Sequence, residues 1–181
     1  MRIKYNSPVI LTYALIAIGV LALNNTLVPG LIKHFFVVYP GTRFTDPVSC
    51  FRLVSHVIGH GGWDHLLGNF TLILLIGPLL EEKYGSKKLF EMVFATALVT
   101  GLLNTFLFSS GLLGASGIAF MLILLGSFSN IRAGEIPLTF IIVAILFLGG
   151  EVINGMARDN ISQFAHLIGG GVGALYGFFR I

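Results

Sequence analysis

The sequence predicts an all-α polytopic membrane protein: a bundle of six transmembrane helices with one long interfacial first loop. Three observations predict it. Hydrophobic side chains make up 55% of the 181 residues and charged ones 10%, and mean hydropathy is +0.91, outside the range of water-soluble domains. Six apolar runs approach the roughly 20 residues that cross about 30 Å of hydrocarbon. Twenty-three glycines occur without a collagen-like period, a composition suited to helices that pack closely in lipid.

The first run, about Pro8 to Val28, follows Arg2 and Lys4 and is too long for the apolar core of a cleaved signal peptide, so it reads as a retained signal anchor. The others are about Trp63 to Leu80, Leu89 to Phe108, Leu112 to Phe128, Ile136 to Asn154 and Ile161 to Phe179. Between the first two, Gly30 to Gly62 mixes Leu31, Ile32, Phe35, Phe36, Val37, Val38 and Tyr39 with Lys33, His34, Arg43 and Arg52, an amphipathic segment expected to lie on the membrane surface. With the N-terminus inside, Arg2, Lys4, Lys83, Lys87, Lys88, Arg132 and Arg180 are cytoplasmic, and Lys33, Arg43, Arg52 and Arg158 are outside. This bias favours cytoplasmic N- and C-termini. No repeat or low-complexity tail divides the chain, so residues 1–181 are expected to form one domain.

The remaining composition excludes several functions. A net charge of +3 with no basic stripe interleaved with aromatics leaves no nucleic-acid footprint, while a pI near 9.2 fits contact with an anionic lipid bilayer. Cys50 stands alone and closes no intrachain disulfide. No motif calls for a cofactor, and nothing in the pattern sets an oligomeric state.

Polar side chains are costly in hydrocarbon and face a partner or water, so their depth is informative. His65 and Asn69, at i and i+4, project from one face of the second span near its outer end. Ser116 lies within about the first turn of the fourth span, which enters from the same side, and His166 lies about five residues into the sixth, roughly 7 Å below its start. Gly169, Gly173 and Gly177 form a small-residue face three residues beyond His166, and Gly114, Ala115, Ser116, Gly117 and Ala119 leave the fourth span nearly bare at its start. Ser116 is therefore expected to meet His166. A serine hydroxyl becomes a nucleophile when a neighbouring imidazole takes its proton, and His65, Asn69 and the N–H groups of Ala115 and Ser116 are candidate oxyanion donors. Glu151 is the single acidic candidate to orient His166, so the expected machinery is a Ser-His dyad.

Phe51-Arg52, then His56, His60, His65 and Asn69 at HxxxHxxxxHxxxN spacing, then Glu81 and Gly85 in EEKYGS, Gly114-Ala115-Ser116-Gly117, and Ala165-His166 with Gly169 follow one another along the chain. In this order they resemble the rhomboid family of intramembrane serine proteases, in its minimal six-span bacterial form without a seventh span or soluble extension. The resemblance implies that Ser116 is the nucleophile and His166 the general base, and that His65 and Asn69 line the oxyanion hole. It implies that His56 and His60 tie the first loop to the second span, that Glu81 holds that span by hydrogen bonds, and that substrates are transmembrane proteins cut near the outer face of a bacterial plasma membrane. Substrates with small or helix-breaking residues near the cut would enter past the second and fifth spans. The chain departs from the family pattern at Phe120, where a tyrosine often packs on the catalytic histidine, and at Phe51, where the first loop usually has tryptophan before Arg52. The connection from Gly155 to Ser162 is polar and long for a loop above the site.

Taken singly, each feature has a plainer account. Gly114 to Gly117 also fits a packing motif whose serine bonds back into its own helix, and His166 a polar residue joining two helices. Glu81 with Glu82 and Lys83 also reads as a solvated helix end. Two other functions remain open on sequence: a rhomboid-like protein that binds transmembrane helices without cutting them, and a metal site built on His56, His60 and His65.

Overall fold

In a computed structural model, residues 4–131 and 161–179 are described, with residues 138, 141, 142, 145, 146 and 149 between them; the side chains of residues 127–131, 161–166 and 176–178 lie outside the description. The described residues hold seven bounded helices. α1 (Pro8–Thr26) begins at Pro8, whose missing N–H is no loss at a helix start. The next two amides, of Val9 and Ile10, donate to the Glu81 carboxylate at 3.0 Å each. Glu81 lies near the end of α4 (Trp63–Tyr84), and its Oε1 also accepts from the Ser86 hydroxyl at 2.7 Å. The carboxylate is thus 4% exposed and fastens the start of α1 to the end of an antiparallel α4. The reading of Glu81 as part of a solvated helix end is overturned. Glu81→Ala leaves two backbone donors and a hydroxyl without their acceptor, at about 1–3 kcal/mol for each buried group. Denaturant unfolding in micelles is expected to show a loss of roughly 3 kcal/mol; an unchanged midpoint would show that water replaces the carboxylate without penalty.

Gly85, at φ 81°, ends α4 and starts α5 (Ser86–Leu107) in one residue; the left-handed conformation costs glycine little. α1, α4 and α5 are each long and apolar enough to cross a membrane. Their bounds reproduce the first three expected spans, with the ends of α1, α4 and α5 shifted by a few residues.

The long first loop is more ordered than its composition implied. It holds α2 (Leu31–Phe35) and α3 (Pro47–Ser55), the latter capped by Asp46, which accepts from the Val48 and Ser49 amides. Arg52 donates from Nε to the His34 carbonyl at 2.7 Å and lies over the Tyr39 ring, while the Ser55 hydroxyl donates to the Phe35 carbonyl. Phe51 makes an edge contact with Phe36, and so carries bulk here without an indole. Two anchors outside the expected set hold the loop to the spans: Tyr13 of α1 donates to the Val57 carbonyl at 2.7 Å, and Gly101 of α5 admits the Leu53 backbone so closely that any Cβ would overlap its carbonyl.

The fourth expected span requires a correction at its start. Val38 and Leu112 form an antiparallel bridge, with N–H to carbonyl distances of 3.0 and 2.9 Å, and the Gly114 amide donates to the His56 carbonyl. Residues 112–115 are therefore held by the first loop, and α6 (Ser116–Ile131) begins four residues later than its apolar run. Ile118, Met121, Leu122 and Leu125 are fully buried, so the first three turns of α6 lie inside the bundle. α7 (Ile161–Phe179) coincides with the sixth expected span. Its Gly169 and Gly173 lie against Thr100 and Thr96 of α5, and Gly173 also meets Met121 of α6. The fifth expected span, Ile136 to Asn154, lies mostly outside the described residues, as do Glu151 and residues 155–160.

Candidate functional site

The site forms where the bridged segment turns into α6. Gly114 takes φ 120°, a conformation that L side chains rarely adopt. A Cβ there would fall 2.7 Å from both Cε1 and Nε2 of His65 and 3.9 Å from Nδ2 of Asn69. The bare glycine thus presses the turn before Ser116 onto the face of α4 that carries the i, i+4 pair. Asn69 and Ser116 are buried, and His65 is half-buried. His65 Nδ1 accepts from the Gly61 amide at 3.4 Å. In the neutral ring this leaves the proton on Nε2, the nitrogen beside Gly114, as a donor. Asn69 gives one amide hydrogen to the His65 carbonyl at 3.1 Å, which orients its carboxamide. Ser116 opens α6, where backbone N–H groups and the helix dipole favour negative charge.

His60 supports this turn from behind. Its Nδ1 lies 3.0 Å from the Ile58 carbonyl, and its Nε2 accepts the Ala115 amide at 3.4 Å. The Ala115 N–H is thereby engaged, which removes it from the expected oxyanion donors. The ring also meets His65 edge-on at 5.0 Å. His60 and His56 therefore tie the first loop to the segment before α6, and His60 touches the second span through the His65 ring. With a carbonyl at one nitrogen and an amide at the other, His60 offers no lone pair to a metal, which weighs against a histidine metal site.

Burial first, and then the neighbouring His65, hold the His60 imidazole down from 6.5 to about 4; burial alone brings His56 to about 4 as well. In that window the unfolded chain binds more protons than the folded one, so stability is complete above pH 6.5 and falls as pH drops toward 4. The full shift corresponds to roughly 3 kcal/mol per histidine. Unfolding midpoints in micelles are expected to decline between pH 6.5 and 4. His60→Gln, which removes the titration and keeps an acceptor, should flatten part of that slope; an identical slope in the variant would refute the role of His60.

α7 completes the surroundings. A Cβ on Gly170 would lie 2.6 Å from Phe120 Cδ1 and 3.0 Å from the Gly117 carbonyl, and Gly173 meets Met121. α7 and α6 thus run in the same direction. One turn before Gly170, backbone position 166 is level with the start of α6. The His166 side chain lies outside the described residues. Phe120 packs its ring on α7 one turn beyond that position, and Gly169 seats the same helix on α5. The structure therefore gathers Gly114, Ala115, Ser116, His60, His65 and Asn69 at one place. Arg52 and Glu81 lie away from it and hold the loop and the far end of α4.

Asn104 is a polar residue that the sequence reading passed over. Buried in α5, it donates to the Val38 and Ser110 carbonyls at 3.4 and 3.0 Å and so braces the bridge leading to the site. Its signal was available: an amide in mid-span needs a partner.

The chain matches the family model described as Rhomboid domain over residues 47–181. It is 22% identical over 143 residues to the rhomboid protease GlpG of Haemophilus influenzae, covering 77% of this chain and 74% of that protein. It is 29% identical to the putative rhomboid protease YdcA of Bacillus subtilis, over 65% of this chain and 61% of the relative. The rhomboid protease GluP of Bacillus subtilis is 32% identical over 71% of this chain, which spans only a quarter of that relative, 25%.

Proposed function

The chain belongs to the rhomboid family and is an integral membrane protein, and from that premise we propose that it is an intramembrane serine endopeptidase acting through Ser116 and His166. The family relatives named as proteases support the activity at the level of the family. The observation that carries the residue assignment is the Gly114 turn, which lies so close to His65 that a Cβ on it would fall 2.7 Å from the ring, and which leads through Ala115 into Ser116 at the start of α6. The register of α7 on α6 supports His166 as the partner.

In this reading the Ser116 hydroxyl attacks the scissile carbonyl carbon while His166 accepts its proton. The negative charge on the tetrahedral oxygen is met by the His65 Nε2–H, an Asn69 amide hydrogen and the Ser116 backbone N–H. His166 then returns the proton to the departing amine, leaving an acyl group on Ser116. Water attacks that ester with His166 again as base, and the second product leaves. The substrate is the transmembrane helix of another membrane protein, cut near the outer face. Small or helix-breaking residues expose its carbonyls there. The topology is six spans with both termini cytoplasmic, in the plasma membrane of a bacterium.

The test is reconstitution in liposomes with a labelled single-span substrate carrying small, helix-breaking residues at its outer end. The expected result is a single cut in or beside the span, at a rate unchanged by a metal chelator. Binding without cleavage across a varied substrate set would overturn the protease reading in favour of a non-catalytic helix binder.

A further inference from the structure

Away from the candidate site, a groove of about 470 Å³ runs along the bundle between α1, α3 and α5. Thr12 and Ile16 of α1, Phe51 and Val54 of α3, and Phe90 and Phe94 of α5 line it. The wall is almost wholly apolar, and its volume falls within the roughly 300–1,000 Å³ of small-molecule pockets. Phe90 and Phe94 stack along one stripe of α5. Lys87 is on the same stripe one turn nearer the helix start, at i−3 and i−7 from the two rings, and is exposed. On the α1 side the Tyr5 hydroxyl bonds to the Thr12 hydroxyl at 2.9 Å. Thr12 lines the groove, so this contact ties Tyr5, the residue after the exposed Lys4, to the groove's α1 wall. Of the nearby acids, Glu81 is buried against the α1 amides, and Glu91 stands one turn from Lys87 at i+4, on the side of the stripe away from Phe90. An apolar trough whose lining residues Pro8 and Phe90 follow the exposed Lys4 and Lys87 by four and three residues complements an amphiphile with an anionic head and a hydrocarbon tail, and the bilayer around α1 and α5 supplies such molecules.

We propose that this groove is a selective site for an anionic phospholipid, its acyl chain along Phe90 and Phe94 and its phosphate at Lys4 and Lys87. Attraction of an anionic headgroup to each lysine near the surface corresponds to about fivefold in affinity.

The measurement uses the chain's single tryptophan, Trp63. In a Trp63→Phe, Phe94→Trp background, quenching by brominated phosphatidylglycerol is compared with quenching by brominated phosphatidylcholine of the same chains, at low salt. The phosphatidylglycerol is expected to associate at least fivefold more strongly, and Lys4→Gln with Lys87→Gln to bring the ratio near one. Equal quenching with both lysines present, or a preference that survives their removal, overturns the proposal. If Phe94→Trp disturbs folding, the unaltered chain released from equimolar mixed micelles into the mass spectrometer should retain phosphatidylglycerol over phosphatidylcholine; equal retention overturns it. Neither readout depends on catalysis, so the result stands apart from the protease reading.

Discussion

Ser116→Ala is expected to reduce cleavage of a single-span substrate by roughly 10⁴- to 10⁶-fold, and His166→Ala by a similar factor. Neither effect should add to the other, because a nucleophile and the base that activates it act as a unit: once either is lost, the remaining group has nothing to do. The double variant should therefore be no slower than the singles within experimental scatter. The fold should persist in all three. Removing one hydroxyl from the first residue of α6 leaves intact the contacts of Ile118, Met121, Leu122 and Leu125 beneath it. Single-turnover rates in liposomes, paired with unfolding midpoints, measure both quantities. Cleavage that survives Ser116→Ala would remove the serine mechanism, and additive losses in the double variant would show that the two groups do not work together.

Gly114→Ala is expected to lower cleavage by roughly 10²- to 10³-fold, the range seen when one oxyanion donor is lost. The argument is steric. The new methyl would fall 2.7 Å from two atoms of the His65 ring, so the ring must swing away from the pocket or the turn must lift Ser116 off α4. The conformation at φ 120° adds about 1–3 kcal/mol of backbone strain for any side chain. Both the rate and the unfolding midpoint should fall. Gly68→Ala is the matched control: Gly68 lies on α4 between His65 and Asn69, and a Cβ there meets nothing within 4 Å. That variant should cleave at the unaltered rate. Equal rates for Gly114→Ala and Gly68→Ala would mean that the close packing of Gly114 on His65 has no part in catalysis.

How much of this was legible beforehand depended on the kind of interaction. The helices of the first three expected spans and of the last could be read because a long apolar run reports a long helix directly, and α1, α4, α5 and α7 lie within a few residues of their apolar runs. The start of α6 could not. Leu112 and Leu113 are as apolar as the helix that follows, but Leu112 pairs with Val38, over 70 positions earlier, and hydropathy does not sense backbone pairing. The same blindness concealed the fate of the Ala115 amide, which depends on where His60 stands. The order of motifs along the chain carries no information on this local consequence. Glu81 shows the opposite case: charge at a span end reads equally well as solvated or buried, and only the α1 amides beside it decide. Tyr13 and Asn104 were missed because each acts through a carbonyl remote in sequence, Val57 and Val38.

The pairing of Ser116 with His166 is tested most directly by trapping. A fluorophosphonate reacts with a serine whose proton is withdrawn by a neighbouring base and leaves a covalent phosphonyl group that peptide mass spectrometry locates. The predicted result is one adduct per chain, on Ser116, lost in His166→Ala and kept in Gly68→Ala. An adduct on another residue, or undiminished labelling of Ser116 without His166, would contradict it.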